Sequence, residues 1–219
     1  MTSKLTLSVL YAIFKKVNFT LKEQLFRIIM IIKSICVYCG SSKGASPEYL
    51  DAAVRLGQLL ADRNIELIYG GASVGVMGKL ADTVLKHGGR VIGIIPEHLS
   101  RKVAHSGLTE IRIVDSMHTR KAMMIEMADA MIALPGGLGT FEEILEAAAW
   151  RQLGLHAKPC GLLNIKGYYN GLLEFLDNAV KEHFVKPAHR AIFQVADNPE
   201  TLLAMLESFE LGNVEKWLD

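Results

Sequence analysis

From Ile31 onward, short apolar runs take turns with stretches of helical periodicity, and this alternation constrains the fold more than any other feature of the 219-residue chain. The runs are Ile31 to Tyr38, Ile65 to Tyr69, Arg90 to Ile95, Ile111 to Val114, Ala130 to Leu134, Gly161 to Ile165 and Ile192 to Val195. Helical patterns cover Pro47 to Arg63, Val76 to His87, Met117 to Met127, Thr140 to Gln152, Tyr168 to Glu182 and Pro199 to Glu207. Short apolar runs bounded by glycine or proline read as buried strands. Strand and helix in alternation predict an α/β fold, a doubly wound parallel sheet with helices on both faces. Such sheets bind ligands at the carboxyl ends of their strands.

Three of the runs end in small-residue loops. Pro135-Gly136-Gly137-Leu138-Gly139 follows the fifth run and leads into Thr140-Phe141-Glu142-Glu143. Its glycines let backbone approach an anion closely, and the N–H groups of the helix expected to open at Thr140 point toward that anion. Cys39-Gly40-Ser41-Ser42 follows the first run, and Gly70-Gly71-Ala72-Ser73 through Gly78 follows the second. All three loops are expected at one crevice, which makes Ser41, Gly70 and Gly71 candidate ligand contacts beside Gly136, Gly137, Leu138, Gly139, Thr140, Phe141 and Glu142. Neither of the outer loops is a standard nucleotide fingerprint. A P-loop needs glycine at position 73 and a hydroxyl at 80, where this chain has Ser73 and Leu80. The dinucleotide pattern G-x-G-x-x-G is missing too, so no redox cofactor is expected.

Asp115-Ser116-Met117-His118-Thr119-Arg120-Lys121 also follows a run and opens a helix. Met117, Arg120 and Lys121 are therefore expected near the same crevice, with guanidinium and ammonium suited to phosphate or sugar oxygens. Cations are mildly unfavourable in a first helical turn, which suggests an anion beside them. Glu143 has two readings. Thr140-x-x-Glu143 fits the capping box, in which the carboxylate only bonds back to the Thr140 N–H; alternatively it is the catalytic acid-base group. Either carboxylate at a helix N-terminus is expected to favour its ionised form.

Composition narrows the partners. A formal net charge of +1 and a pI near 7.7 leave no basic footprint for nucleic acid or an anionic membrane surface. Three cysteines, Cys36, Cys39 and Cys160, make no disulfide framework and suit the cytoplasm. Cys36-x-x-Cys39 has no second pair for zinc, so no metal is expected. No apolar stretch is long enough to span a bilayer. Residues 1–30 alternate lysines with Leu, Ile and Phe and read as an appendage, either an amphipathic helix or sequence upstream of a natural start at Met30; lysines interrupt any secretory signal. Residues 31–219 form one domain.

On these residues the chain resembles the Lonely guy family of cytokinin riboside 5'-monophosphate phosphoribohydrolases, whose members carry PGGxGTxxE preceded by MHxRK. Here the pair is Pro135 to Glu143 and Met117 to Lys121. Cys39 to Ser42, Tyr69-Gly70-Gly71 and His156 to Pro159 extend the resemblance, which excludes the first thirty residues. It implies a Rossmann-like fold, a homodimer, and hydrolysis of the N-glycosidic bond of adenine-type nucleoside 5'-monophosphates to free base and ribose 5-phosphate. It also implies Arg120 and Glu143 as the catalytic pair, with Arg120, Lys121 and Gly137 to Glu143 at the nucleotide. One position departs: where the family commonly has a glutamate, this chain has Lys102.

The chemistry suits those residue types. Ribosyl C–N cleavage passes through an oxocarbenium-like state that a carboxylate stabilises while activating water. Two other classes stay open. One is a non-catalytic nucleotide-binding or sensor protein, because a phosphate cradle needs no chemistry. The other is a pyridoxal-phosphate amino-acid decarboxylase, for which the chain lacks a recognisable lysine and aspartate pair.

Overall fold

A computed structural model describes residues 32–210. The reading of residues 1–30 as an appendage lies outside the described residues. Seven strands form one parallel sheet: β1 (Ser34–Tyr38), β2 (Glu66–Tyr69), β3 (Val91–Pro96), β4 (Glu110–Val114), β5 (Ala130–Ala133), β6 (Cys160–Leu163) and β7 (Phe193–Ala196), in the order β4-β3-β2-β1-β5-β6-β7. Helices α1 (Pro47–Asp62), α2 (Gly75–Lys86), α3 (Glu97–Val103), α4 (Met117–Met127), α5 (Leu138–Gln152), α6 (Asn170–Lys181), α7 (Pro187–Arg190) and α8 (Pro199–Glu207) fill the connections, with a 3₁₀ turn at Ile165–Gly167. The α/β doubly wound class is as expected from the alternation.

The central strands are buried along their whole length because both faces are covered. Cys36, Tyr38, Ile68, Ile92, Ile94, Met131 and Ala133 pack with Met124 and Ile125 of α4 and Ile144 and Ala147 of α5. The alternate residues Ile35, Val37, Leu67 and Tyr69 are equally buried, as are Leu56 and Leu60 of α1 and Leu80 and Val84 of α2. Met124 lies in the core and Met123, Met127 and Trp150 pack against it.

Element ends differ from the expected ones for local reasons. β1 starts at Ser34 because the N–H groups of Lys33 and Ser34 donate to the Asp129 carboxylate, at 2.8 and 3.0 Å. β6 ends before Asn164, whose side-chain oxygen accepts from the Tyr169 N–H at 2.7 Å and turns the chain. Helices α3 and α7 were not expected. α3 buries none of its residues, so it leaves no apolar period to read, and α7 is four residues long.

The strand order places the site. Successive connections run outward from β1 through β2, β3 and β4; the chain then crosses back to β5 on the other side of β1. The loops leaving β1 and β5 therefore lie side by side where the strand order reverses, and a crevice lies there at the carboxyl end of the sheet.

Candidate active site

Gly40 joins the three small-residue loops. Its N–H donates to Pro135 O at 3.2 Å, and its carbonyl accepts from the N–H groups of Val76 and Met77 at 3.0 and 3.3 Å. The start of α2 is thus satisfied by protein, and it is the start of α5 that remains open. Residues Gly40 to Gly44, Tyr49, Val76, Pro135 to Gly137 and Tyr168 enclose a crevice of about 270 Å³. Ser41 stands exposed on its rim.

α5 begins at Leu138, two residues before the expected start, with Gly137 as N-cap and no side chain to cap it. Phe141 N–H donates to Gly137 O at 3.1 Å, closing the first helical turn. The N–H groups of Leu138, Gly139 and Thr140 precede it, as the first donors of any α-helix do. Leu138 is 85% exposed and a Cβ on Gly137 or Gly139 would meet nothing, so this end faces open space. Gly136 is tighter: a Cβ there would overlap the Thr140 hydroxyl. Tyr168 closes the side, its hydroxyl donating to Gly136 O at 2.5 Å and its ring stacked on Phe141 at 6.4 Å between centroids.

Because Thr140 is the third helical residue and not the cap, the capping box is not made. Glu143 falls in the following turn and its carboxylate crosses to α4, where Arg120 Nη1 donates to it at 2.5 Å. Both side chains are buried. α4 is capped by Ser116, whose hydroxyl accepts from the Thr119 N–H at 3.1 Å, and this puts Arg120 and Lys121 in its second turn. Arg120 Nε also donates to Ile94 O at 3.0 Å, at the end of β3. Its third side is formed by Gly70, where a Cβ would overlap Nη2. Gly71 beside it has φ +75°, which turns the chain away from β2.

Lys121 is buried and lies 2.5 Å from Glu142 Oε1 and 3.1 Å from Glu146 Oε2. The anion that the position of the two cations suggested is therefore supplied by carboxylates of α5. Hydrogen bonding to Glu142 holds the Lys121 ammonium above its ordinary pKa, with Glu146 adding to it. For Glu143 the expected preference for the ionised form is overturned. Burial pushes its carboxyl above the usual carboxylate range, and the Arg120 guanidinium only partly pulls it back.

The structure thus gathers Arg120, Glu143, Gly70, Lys121 and Glu142 at one pole, and Ser41, Gly136 and Gly137 around the crevice at the other. Met117 is half-buried at the start of α4, and His118 is exposed. Lys102 is exposed on α3, which begins three residues after Ile94. Tyr49 and Tyr168, 5.7 Å apart between ring centroids, were missed by sequence reasoning. No local pattern marks them, since the fold brings the first turn of α1 and the turn after β6 together. Cys36, Cys39 and Cys160 are buried free thiols whose pKa values burial pushes up, so none is an activated nucleophile.

A family profile described as "Possible lysine decarboxylase" matches residues 77–206. A cytokinin riboside 5'-monophosphate phosphoribohydrolase of Arabidopsis thaliana is 52% identical over 180 residues, covering 81% of this chain and 82% of that protein. A probable enzyme of the same name from Oryza sativa subsp. japonica is 52% identical over 178 residues, covering 81% of this chain and 71% of its own length. Among solved structures, the molybdenum cofactor binding protein of Rippkaea orientalis superposes with a TM-score of 0.62 at 26% identity, over 82% of this chain and 98% of that one. The molybdenum cofactor carrier protein of Chlamydomonas reinhardtii gives 0.61 at 20% identity, over 80% and 95%, a likeness of fold. Half of the residues are shared with the plant enzymes over most of both chains, against about a quarter with the binding protein. The chain belongs to the Lonely guy family of cytokinin riboside 5'-monophosphate phosphoribohydrolases.

Proposed function

We propose that this chain hydrolyses the N-glycosidic bond of adenine-type nucleoside 5'-monophosphates, cytokinin riboside 5'-monophosphate, AMP or both, releasing free base and ribose 5-phosphate. The observation that carries the reading is the buried Arg120–Glu143 pair one helical turn beyond the open start of α5. The 5'-phosphate takes the N–H groups of Leu138 to Thr140, where the helix dipole favours an anion. Ribose then lies toward Glu143. Its carboxylate stabilises positive charge at C1' and takes a proton from the attacking water, while the base leaves with the C–N bonding pair and takes a proton from solvent water to become the free base. Arg120 holds the carboxylate in place. Phosphate binding, remote from the bond broken, positions the sugar.

Incubation of the purified protein with AMP and its N6-prenylated analogue, followed by chromatography of the bases, tests this. Release of base from one or both is expected. Glu143→Gln should bind nucleotide within a few fold of wild type and lose at least about a hundredfold in kcat, the scale of general acid-base catalysis. Nucleotide binding with no base released sinks the hydrolase reading in favour of a non-catalytic binder, the alternative that the likeness to a molybdenum cofactor binding protein supports. The decarboxylase label has less support. A Schiff-base lysine needs a lowered pKa, whereas buried Lys121 is held charged by two glutamates.

The finer assignments belong to the same proposal. The ligand is a small nucleotide and not a nucleic acid; the location is the cytoplasm, in keeping with three free thiols. The active species is a homodimer, supported by the exposed Phe175, Phe184 and Leu155. Sedimentation at 24.1 kDa instead of twice that mass would remove the dimer. Lys102→Glu should change the preference between prenylated and plain substrate; unaltered kinetic constants remove Lys102 from the substrate's surroundings.

A further inference from the structure

We infer that Lys43 is the residue with which this chain selects a phosphorylated ligand. The inference rests on the proposed seat of the phosphate at the start of α5. Charges around that seat do not favour a dianion. Arg120 is matched by Glu143, and Lys121 faces both Glu142 and Glu146. These five groups carry one net negative charge. A phosphate monoester brings nearly two more at neutral pH, and the helix end supplies only about half a positive charge.

Lys43 supplies what is missing. It lines the crevice together with Gly136 and Gly137, and no carboxylate pairs with it among the described residues. The nearest acid along the chain, Glu48, is occupied by Lys166 at 2.9 Å. The loop that carries Lys43 is pinned at both ends. Gly40 ties it to the loops after β5 and β2, and Gly44, at φ +76°, rests so closely on the Tyr49 ring that a Cβ would stand 2.6 Å from it. A short, held loop presents the ammonium at little ordering cost. Ser41 and Ser42 of the same loop line the crevice as well.

Calorimetric titration of wild type, Lys43→Met, Lys43→Arg and Lys166→Met with AMP, adenosine and ribose 5-phosphate tests the assignment. Lys43→Met should weaken AMP and ribose 5-phosphate about tenfold, the scale of one charged hydrogen bond, and adenosine less than twofold. Lys43→Arg should recover most of the loss. Lys166→Met, which removes a cation that is paired with Glu48 and does not line the crevice, should bind as wild type does. The inference is overturned if Lys43→Met binds AMP like wild type, or loses adenosine as much as AMP. Turnover is read separately. A wild type that binds AMP through Lys43 and releases no adenine overturns the hydrolase reading and leaves this one standing.

Discussion

At the scale of single residues, the site depends on how Arg120 is held. Three groups fix its guanidinium: the Ile94 carbonyl, the Glu143 carboxylate and the bare face of Gly70. Adding one methyl at position 70 displaces Nη2, and the effect is readable in the chemistry. Burial raises the Glu143 pKa and Arg120 lowers it. Activity that needs the ionised carboxylate is full above the raised pKa and falls as pH drops through it. The acid limb of wild-type kcat/KM should therefore lie above the ordinary glutamate value of about 4.3. In Gly70→Ala, with Arg120 moved off, that limb should shift to higher pH and kcat should fall about tenfold or more. A variant with an unmoved limb and full kcat shows that Gly70 does not position Arg120. The sequence made Gly70 legible as a member of a ligand loop but hid its task, because the arginine it seats lies fifty residues away on another element. For Glu143 the opposite happened. A local pattern was present and misleading, since T-x-x-E describes a cap only when the threonine is outside the helix.

At the scale of elements, α5 is the helix whose beginning matters. Helices α4 and α8 span the residues that the sequence pattern predicts, and both open with a side chain that accepts from the third N–H: Ser116 from Thr119, and Asn198 from Thr201. Such caps are written in sequence. The start of α5 carries no such mark, and it lies two residues before the start that the sequence pattern predicts. Whether the open start of α5 is the anion seat can be tested by adding a cap. Gly137 has φ −99° and ψ −157°, a conformation open to any residue, and a Cβ there has free space. Gly137→Asp should therefore stabilise the fold by roughly 0.5–1 kcal/mol through capping and dipole. The same carboxylate occupies the anion seat and repels phosphate, so the KM for nucleotide should rise about tenfold or more. Thermal unfolding and kinetics on one preparation give both readings. A raised Tm with unchanged KM would move the phosphate elsewhere.

At the scale of the molecule, the sheet separates two tasks by its two ends. The residues assigned to binding and chemistry follow the carboxyl ends of β1 to β5, where loops converge because the strand order reverses. The amino ends hold the sheet together. There Asp129, just before β5, accepts from the N–H groups of Lys33 and Ser34 and from the Ser34 hydroxyl at 3.1 Å, while Ser34 O accepts from the Asp129 N–H at 3.0 Å. This clasp closes β1 with β5, the pair of neighbouring strands in the sheet that are not consecutive along the chain. It was not legible in the sequence, because its partners are more than ninety residues apart and only the strand order makes them neighbours. Asp129→Ala leaves two backbone donors without their acceptor, partly recovered by water at this edge, for a loss of about 2–3 kcal/mol. In a chain of this size that lowers Tm by roughly 5–10 °C. Because the clasp lies at the opposite end from Glu143, kcat and KM measured well below the new Tm should match wild type. A fall in kcat at that temperature would mean that strain at the amino ends of β1 and β5 reaches the crevice, and that the sheet does not insulate one end from the other.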